Sequence, residues 1–97
     1  METRLVWDEA KRRANLAKHG LDFAQACEVL DSRYRLDVPM ARKGEMRVQS
    51  FSYVMNRLAV LMVVHTSRDG AARIISFRPA SEEESRRFYE WIANTED

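Results

Sequence analysis

The hydrophobic period of the chain changes twice, and this pattern restricts the fold more than any other feature. Apolar residues have helical spacing in residues 8–31, and they return to it in residues 81–94. Between these segments, residues 34–38, 47–55, 57–66 and 72–77 have the apolar and β-branched runs typical of strands. We therefore expect an α+β fold with two N-terminal helices, a four-stranded antiparallel sheet and a C-terminal helix.

Capping signals predict the ends of the helices. Asp8 is a candidate N-cap and Gly20 a candidate stop for the first helix. Asp22 is expected to begin a second helix, and Ser81 with Glu84 has the spacing of a capping box for the last helix.

The first helix has a stripe of small apolar residues. Ala10, Ala14 and Ala17 lie at helical spacing, so we expect this stripe to be buried. Arg12, Asn15 and His19 lie on the opposite side of the helix, which we expect to face water.

Turn residues predict the strand ends and one register. Pro39 is expected to end the first strand, and Asp69–Gly70 predicts a two-residue hairpin turn. Counting back from this turn places His65 opposite Ile74 and Leu61 opposite Arg78. His65, Ser76 and Arg78 are then predicted to share one face of the sheet.

Length, charge and cysteine content exclude several classes of protein. The 97 residues suit a single domain, 1–97, and the net charge of +1 argues against a strongly basic nucleic-acid binder. Any anionic partner must therefore be bound by locally clustered Arg and Lys. One cysteine, Cys27, excludes an intramolecular disulfide framework and a cysteine-based zinc site. No apolar run has the length of a signal peptide or a membrane span, so we expect a cytoplasmic protein.

Three segments together resemble the BrnT toxins of bacterial type II toxin–antitoxin systems. They are WDEAKRRANLAKHGLDFAQACEVL (7–30), GEMR (44–47) and VVHTSRDGAARIISFRPAS (63–81). The positions that match the family's pattern are Trp7, Asp8, Lys11, Asn15, Lys18, His19, Gly20, Phe23, Arg73, Ile74, Ile75, Ser76, Arg78 and Ala80.

The resemblance implies an activity and a partner. It implies an endoribonuclease that inhibits translation and growth, with a fold akin to RelE-type toxins. It also implies neutralisation by a BrnA-like ribbon-helix-helix antitoxin, in a 2:2 complex that binds operator DNA through the antitoxin. No metal or other cofactor is expected.

Metal-independent RNA cleavage needs a group that moves protons and cations that stabilise the phosphorane. The candidate catalytic residues are His19, His65, Arg73, Arg78 and Glu45. The candidate RNA-binding residues are Lys11, Lys18 and Arg47.

Several of the candidates also have a structural interpretation, and for Arg73 it is an ordinary arginine at the edge of the sheet. His19 can be the solvated end of a helix, where a basic side chain complements the helix dipole. His65 can be a sheet histidine that is satisfied by a neighbouring polar group. Glu45 and Arg47 can form a surface ion pair of little energetic value.

The last helix departs from the family pattern and supports an alternative function. Glu83 and Ser85 stand where arginines are usual in the family, and Phe88 stands at a tyrosine position. The alternative is a catalytically weak interaction module that binds an antitoxin-like partner.

Overall fold

The computed structural model describes residues 3–95, which form one five-stranded mixed sheet with three α-helices. The strands are β1 (Leu5–Trp7), β2 (Leu36–Arg42), β3 (Glu45–Val54), β4 (Ala59–Arg68) and β5 (Ala71–Pro79). The helices are α1 (Glu9–His19), α2 (Cys27–Leu30) and α3 (Glu82–Thr95), and a 3₁₀ turn spans Phe23–Gln25. The strand order is β1-β5-β4-β3-β2.

The prediction of a four-stranded antiparallel sheet is therefore wrong. β1 was not predicted; it pairs with β5 in parallel, from Leu5 opposite Ala72 to Trp7 opposite Ile74. Three residues are too few to produce an alternating pattern, and the pairing partner lies more than 60 residues away along the chain. The remaining strand pairs are antiparallel, as predicted.

The second helix is shorter than predicted. The segment after Gly20 forms the 3₁₀ turn and then only four residues of α2. Asp22 does begin this segment, since its carboxylate accepts a hydrogen bond from the Ala24 N–H at 2.9 Å. One reason for the short form is packing: Phe23, Ala26 and Val29 are fully buried against the sheet.

The cap predictions for α1 and α3 are confirmed. Asp8 accepts a hydrogen bond from the Lys11 N–H, and Gly20 adopts the left-handed conformation (φ 71°) while its N–H donates to Leu16. Ser81 and Glu84 form the reciprocal capping box at α3.

The prediction for the buried side of α1 is wrong. Its one buried residue is Asn15, whereas Ala10, Ala14 and Ala17 are exposed. The Asn15 side-chain amide donates to the Phe77 carbonyl at 2.7 Å and accepts from the Phe77 N–H at 3.1 Å. The pairing of β1 with β5 ends at Trp7 and Ile74. Farther along β5, the Asn15 side chain makes the hydrogen bonds to the Phe77 backbone that a neighbouring strand would make. A third bond, from Asn15 to the Leu21 carbonyl, holds the turn after α1.

The two faces of the sheet carry separate cores. The 3₁₀ turn and α2 cover one face, whose core includes Phe23, Val63, Ile74 and Phe77, while α1 lies beside β5. α3 covers part of the other face, where Phe88 packs with Phe51, Val60, Met62 and Val64. We call these the α2 face and the α3 face.

Two predictions about strands need correction. Pro39 lies inside β2 rather than ending it, which an edge strand tolerates because one side of its backbone has no neighbouring strand. The β4–β5 register follows the prediction from Arg68–Ala71 to His65–Ile74 and then shifts at a bulge. Beyond the bulge Met62, not Leu61, lies opposite Arg78.

This one-residue shift separates residues that were predicted to share a face. A bulge adds one residue to one strand and reverses the facing of every side chain beyond it. His65 stays on the α2 face, whereas Arg78 contacts α3 on the other face.

Candidate functional site

A cleft of about 400 Å³ on the α3 face gathers four cationic side chains at one end of the sheet. We call it the basic cleft; its charged and hydroxyl-bearing lining residues include Lys11, Glu45, Arg47, Thr66, Arg68 and Arg73. Four cationic side chains thus surround one carboxylate in a chain whose net charge is only +1. The structure therefore brings together four of the predicted site residues: Lys11, Glu45, Arg47 and Arg73.

Strand alternation explains how the basic cleft forms. The start of β3, the end of β4 and the start of β5 meet at one end of the sheet, because tight turns connect these antiparallel strands. Arg73 lies opposite Thr66, and Asp69–Gly70, both with positive φ, makes the predicted hairpin turn between them. Lys11 reaches the cleft from α1, which runs along the edge of β5.

The charges of the basic cleft are mostly unpaired. Arg47 Nε donates to Glu45 Oε1 at 2.7 Å, so these two residues form the ion pair that was one of the predicted alternatives. None of the ion pairs among residues 3–95 involves Lys11, Arg68 or Arg73. Half of the Glu45 side chain remains exposed, at 51%. The cleft can therefore bind an anion with three free cations and offer it a solvent-accessible carboxylate.

His65 lines a different cleft, on the α2 face of the same end of the sheet. This histidine cleft has a volume of about 330 Å³, and its lining includes Leu30, Arg35, Val48, His65, Ser67 and Ala72. Ser67 lines both clefts, so the two meet at the end of β4.

A chain of hydrogen bonds leads from His65 across three strands. His65 Nε2 lies 2.7 Å from Ser50 Oγ, and Ser50 Oγ donates to Asp37 Oδ1 at 2.6 Å. Arg35 makes a two-pronged ion pair with Asp37 at 2.9 Å and also donates to the Leu30 carbonyl. The alternative interpretation of His65, a sheet histidine with a polar partner, therefore describes its Nε2 atom, whose partner is Ser50 Oγ.

Burial and neighbouring charges determine the ionisation states of His65 and Asp37. Burial, helped by the positive charge of Arg35, lowers the pKa of His65, although Asp37 opposes the shift. Burial disfavours the charged form of Asp37, but hydrogen bonds from Arg35 and Ser50 outweigh it and lower the pKa of that carboxyl. At neutral pH we therefore expect a neutral imidazole beside an ionised carboxylate.

Arg78 lies outside both clefts. Its guanidinium makes a two-pronged ion pair with Glu84 of α3 at 2.8 and 3.0 Å, and it also donates to the Pro79 carbonyl. The hydrogen bond from Arg78 lowers the pKa of Glu84 to about 2. Arg78 thus ties the end of β5 to the start of α3.

Lys18 and His19 also lie away from the basic cleft. They occupy the last turn of α1, where Lys18 is exposed and His19 partly buried. Lys11 and His19 are separated by eight residues, or about 12 Å along the helix axis. The alternative interpretation of His19, a solvated helix end, is correct for its place in the last turn of α1. The residue is nevertheless partly buried.

The comparison with protein families identifies the chain. A model described as "Ribonuclease toxin, BrnT, of type II toxin-antitoxin system" matches residues 7–84, which is most of the sequence. The chain belongs to the BrnT family. A search of curated proteins found no match to it.

BrnT family membership gives the coarse function. The family is one of ribonuclease toxins of type II toxin–antitoxin systems, so it implies an RNA target and an antitoxin partner. The matched segment contains α1, α2, β2 to β5 and the first residues of α3, so it includes the whole lining of the basic cleft and all of the histidine cleft except Thr3. Within residues 3–95, no helix is long and apolar enough to cross a membrane, and no three His, Cys, Asp or Glu side chains form a metal-binding group.

The acidic start of α3 does not face the basic cleft of this BrnT protein. Within the described chain, the residues that line the cleft do not include Glu82, Glu83 or Glu84. Glu84 instead pairs with Arg78, and Glu83 pairs with Arg87 one turn along the helix. The family departures in this helix therefore leave the charge of the cleft unchanged.

Sequence reasoning missed four residues of these sites: Arg68, Arg35, Asp37 and Ser50. Arg68 could have been found, since it immediately precedes the predicted turn and lies close to Arg73. The other three gave no signal, because Arg35 and Asp37 meet Ser50 and His65 only when β2 pairs with β3 and β3 with β4.

Proposed function

We propose that this BrnT family protein is a metal-independent endoribonuclease that acts in the cytoplasm, cleaves RNA and so inhibits translation and growth. The observation that carries this proposal is the basic cleft, where four cations surround one carboxylate in a nearly neutral chain. Positioned guanidinium groups bind phosphate oxygens and stabilise the charge of the transition state.

The residues of the basic cleft suit cleavage by the neighbouring 2′-hydroxyl. The Glu45 carboxylate accepts the 2′-hydroxyl proton, and the 2′ oxygen attacks the adjacent phosphorus. Arg47 and Arg73 stabilise the negative phosphorane. Lys11 gives a proton to the leaving 5′ oxygen, because an ammonium releases its proton more readily than a guanidinium. The products are a 2′,3′-cyclic phosphate and a 5′-hydroxyl.

The remaining predicted residues take other roles in this proposal. Arg78 positions α3 through Glu84, and Lys18 and His19 lie where they can contact RNA outside the reacting phosphate. His65 lies across the sheet from Glu45 and takes no part in the proton transfers.

A cleavage assay on purified protein tests the proposal. Arg73→Ala is expected to reduce the cleavage rate of an RNA oligonucleotide about 100-fold, because it removes a donor to the phosphorane. The matched control is Arg57→Ala, since Arg57 is an exposed arginine in the β3–β4 turn at the opposite end of the sheet. Equal loss in both variants, or full activity of Arg73→Ala, would contradict a catalytic basic cleft.

The interaction module remains the competing function, and expression of the chain alone in bacteria distinguishes the two. Growth arrest that Arg73→Ala relieves supports the enzyme. Healthy growth with the unmodified chain, together with no cleavage in the assay, supports a binding module.

We further propose a BrnA-like ribbon-helix-helix antitoxin as partner, in a 2:2 complex that binds operator DNA through the antitoxin. The family supports an antitoxin of some kind. Co-expression with a ribbon-helix-helix protein encoded next to the toxin, followed by mass measurement of the complex, tests this. A stable toxin in which no such protein co-purifies would exclude this partner.

A further inference from the structure

The direction of the hydrogen bonds at His65 defines which ring nitrogen is free. The ionised Asp37 carboxylate can only accept, so the single Ser50 hydroxyl proton points to Asp37. The Ser50 oxygen must then accept from His65, which places the proton of the neutral ring on Nε2. Nδ1 is left with a lone pair, and it has no hydrogen-bond partner among residues 3–95.

This arrangement is not a nucleophilic triad. In a Ser-His-Asp triad the histidine stands between the other two and removes the serine proton. Here Ser50 stands in the middle and donates its hydrogen bond to Asp37, and the side chain is fully buried. The chain of bonds therefore orients the imidazole and does not activate the hydroxyl.

The histidine cleft is suited to a neutral ligand. Its cation, Arg35, is neutralised by Asp37 and uses donors on all three of its guanidinium nitrogens. Leu30, Val48 and Ala72 supply apolar wall, and the volume of about 330 Å³ falls in the range of small-molecule sites. A flat ring with an N–H donor would cover the apolar wall and satisfy Nδ1, whereas a phosphate would find no free cation.

We infer that the histidine cleft is a nucleobase subsite, in which an unpaired RNA base next to the scissile phosphate donates a hydrogen bond from its Watson–Crick edge to His65 Nδ1. Ser67 borders both clefts, so a strand that passes around the end of β4 reaches both. Ser50 and Asp37 are positioning residues, because they hold the tautomer that makes Nδ1 an acceptor. The inference rests on the proposed ribonuclease function and deepens it.

The subsite predicts a preference for single strands. A base in a duplex has its Watson–Crick edge occupied, and it can donate to His65 only when it is unpaired. Annealing the RNA substrate to its complement is therefore expected to block cleavage.

Nucleoside binding tests the subsite without requiring cleavage. Adenosine, cytidine, guanosine and uridine carry no phosphate, so their binding does not depend on the basic cleft. We would titrate each into the full chain with ¹⁵N-labelled histidine. At least one nucleoside is expected to shift the Nδ1 resonance of His65 in a saturable way, while His19, the only other histidine, serves as the internal reference. If no nucleoside moves the His65 signal up to millimolar concentration, the subsite is wrong whether or not the protein cleaves RNA.

Variants separate base binding from catalysis. His65→Phe is expected to weaken the binding of the best nucleoside about tenfold, as measured by calorimetry. It is also expected to reduce the differences in cleavage rate between RNAs that carry different bases. Ser50→Ala is expected to weaken nucleoside binding about threefold and to give a mixture of His65 tautomers in the ¹⁵N spectrum. Arg47→Ala serves as the opposite case, in which cleavage falls and nucleoside affinity is kept.

Two outcomes would overturn the inference even if the protein is a ribonuclease. His65→Phe could abolish cleavage of all RNAs and leave nucleoside affinity intact, which would make His65 a catalytic group. Alternatively, the base preference could survive His65→Phe unchanged, which would place base recognition elsewhere.

Discussion

The two clefts lie at the same end of the sheet but use their charged groups in opposite ways. In the basic cleft, Lys11, Arg68 and Arg73 have no ion pair among residues 3–95, and their charges are free for a ligand. In the histidine cleft, Arg35 and His65 are joined by hydrogen bonds through Asp37 and Ser50. The unpaired cations of the basic cleft can bind a substrate anion, whereas the paired groups at the histidine cleft hold the His65 ring in one orientation.

The largest expected effect tests the half-exposed carboxylate of Glu45 in the basic cleft. Glu45→Gln keeps the size of the side chain but removes the proton acceptor, and general-base catalysis contributes about 10²–10⁴-fold. We expect the cleavage rate to fall at least about 100-fold, with the melting temperature nearly unchanged because half of the Glu45 side chain is exposed. The control is Glu90→Gln, because Glu90 is an exposed residue of α3. A cleavage rate that survives in Glu45→Gln would place the general base elsewhere.

The second effect tests the helix that brings Lys11 to the basic cleft. Asn15→Ala leaves the Phe77 N–H, the Phe77 carbonyl and the Leu21 carbonyl without their partner. An unsatisfied buried backbone group costs about 1–3 kcal/mol, so after partial relaxation we expect the free energy of unfolding to fall by about 3 kcal/mol. Urea denaturation measures it against Asn94→Ala, an exposed position near the end of α3. Equal stability of the two variants would mean that α1 does not depend on Asn15.

The third effect tests the paired groups of the histidine cleft. Ser50→Ala removes one buried hydroxyl from between Asp37 and His65, and we expect a loss of about 1–2 kcal/mol in the free energy of unfolding. In RNA cleavage the variant should raise KM more than it lowers kcat, in contrast to Glu45→Gln. Ser85→Ala on α3 is the matched control for stability. A fall in kcat as large as that of Glu45→Gln would erase the distinction between the two clefts.

The smallest effect concerns Arg78, whose charge is also paired internally. Because Arg78 lowers the pKa of Glu84 to about 2, the pair stabilises the fold fully above pH 4.5, and this contribution is lost as the pH falls towards 2. Glu84→Gln keeps the capping geometry, so it should cost about 1 kcal/mol at pH 7 and almost nothing near pH 2. Chemical denaturation across this pH range measures the difference. Glu83→Gln, at the more exposed pair with Arg87, should give a flatter profile. A pH-independent difference for Glu84→Gln would show that the ion pair adds no stability.

Features set by neighbouring residues could be predicted from the sequence. The caps at Asp8, Gly20 and Ser81 and the Asp69–Gly70 turn are confirmed, because each depends on hydrogen bonds or backbone angles within a few residues. β4 is the central strand of the sheet, as suits a strand with apolar residues in nearly every position, which needs cover on both faces. The candidates Lys11, Glu45, Arg47 and Arg73 do lie together.

Features set by distant residues could not be predicted. The side of α1 that packs on the sheet depends on Phe77, whose backbone at the edge of β5 needs a partner beyond the end of β1. A stripe of alanines gains little from burial, so the two hydrogen bonds between the Asn15 side chain and the Phe77 backbone orient the helix instead. The bulge in β5 likewise has no local signature in the sequence, yet it moved Arg78 to the face opposite His65.

The sequence by itself determined the order of most elements, their caps, the hairpin turn and the family, because these depend on local chemistry and on matched residues along the chain. Only the tertiary structure decided that the cations of α1, β3, β4 and β5 share one cleft. It also decided that His65 belongs to a chain of bonds on the other face. The physical reason is strand pairing, since register and bulges fix which side chains meet across a sheet, and a shift of one residue exchanges the faces.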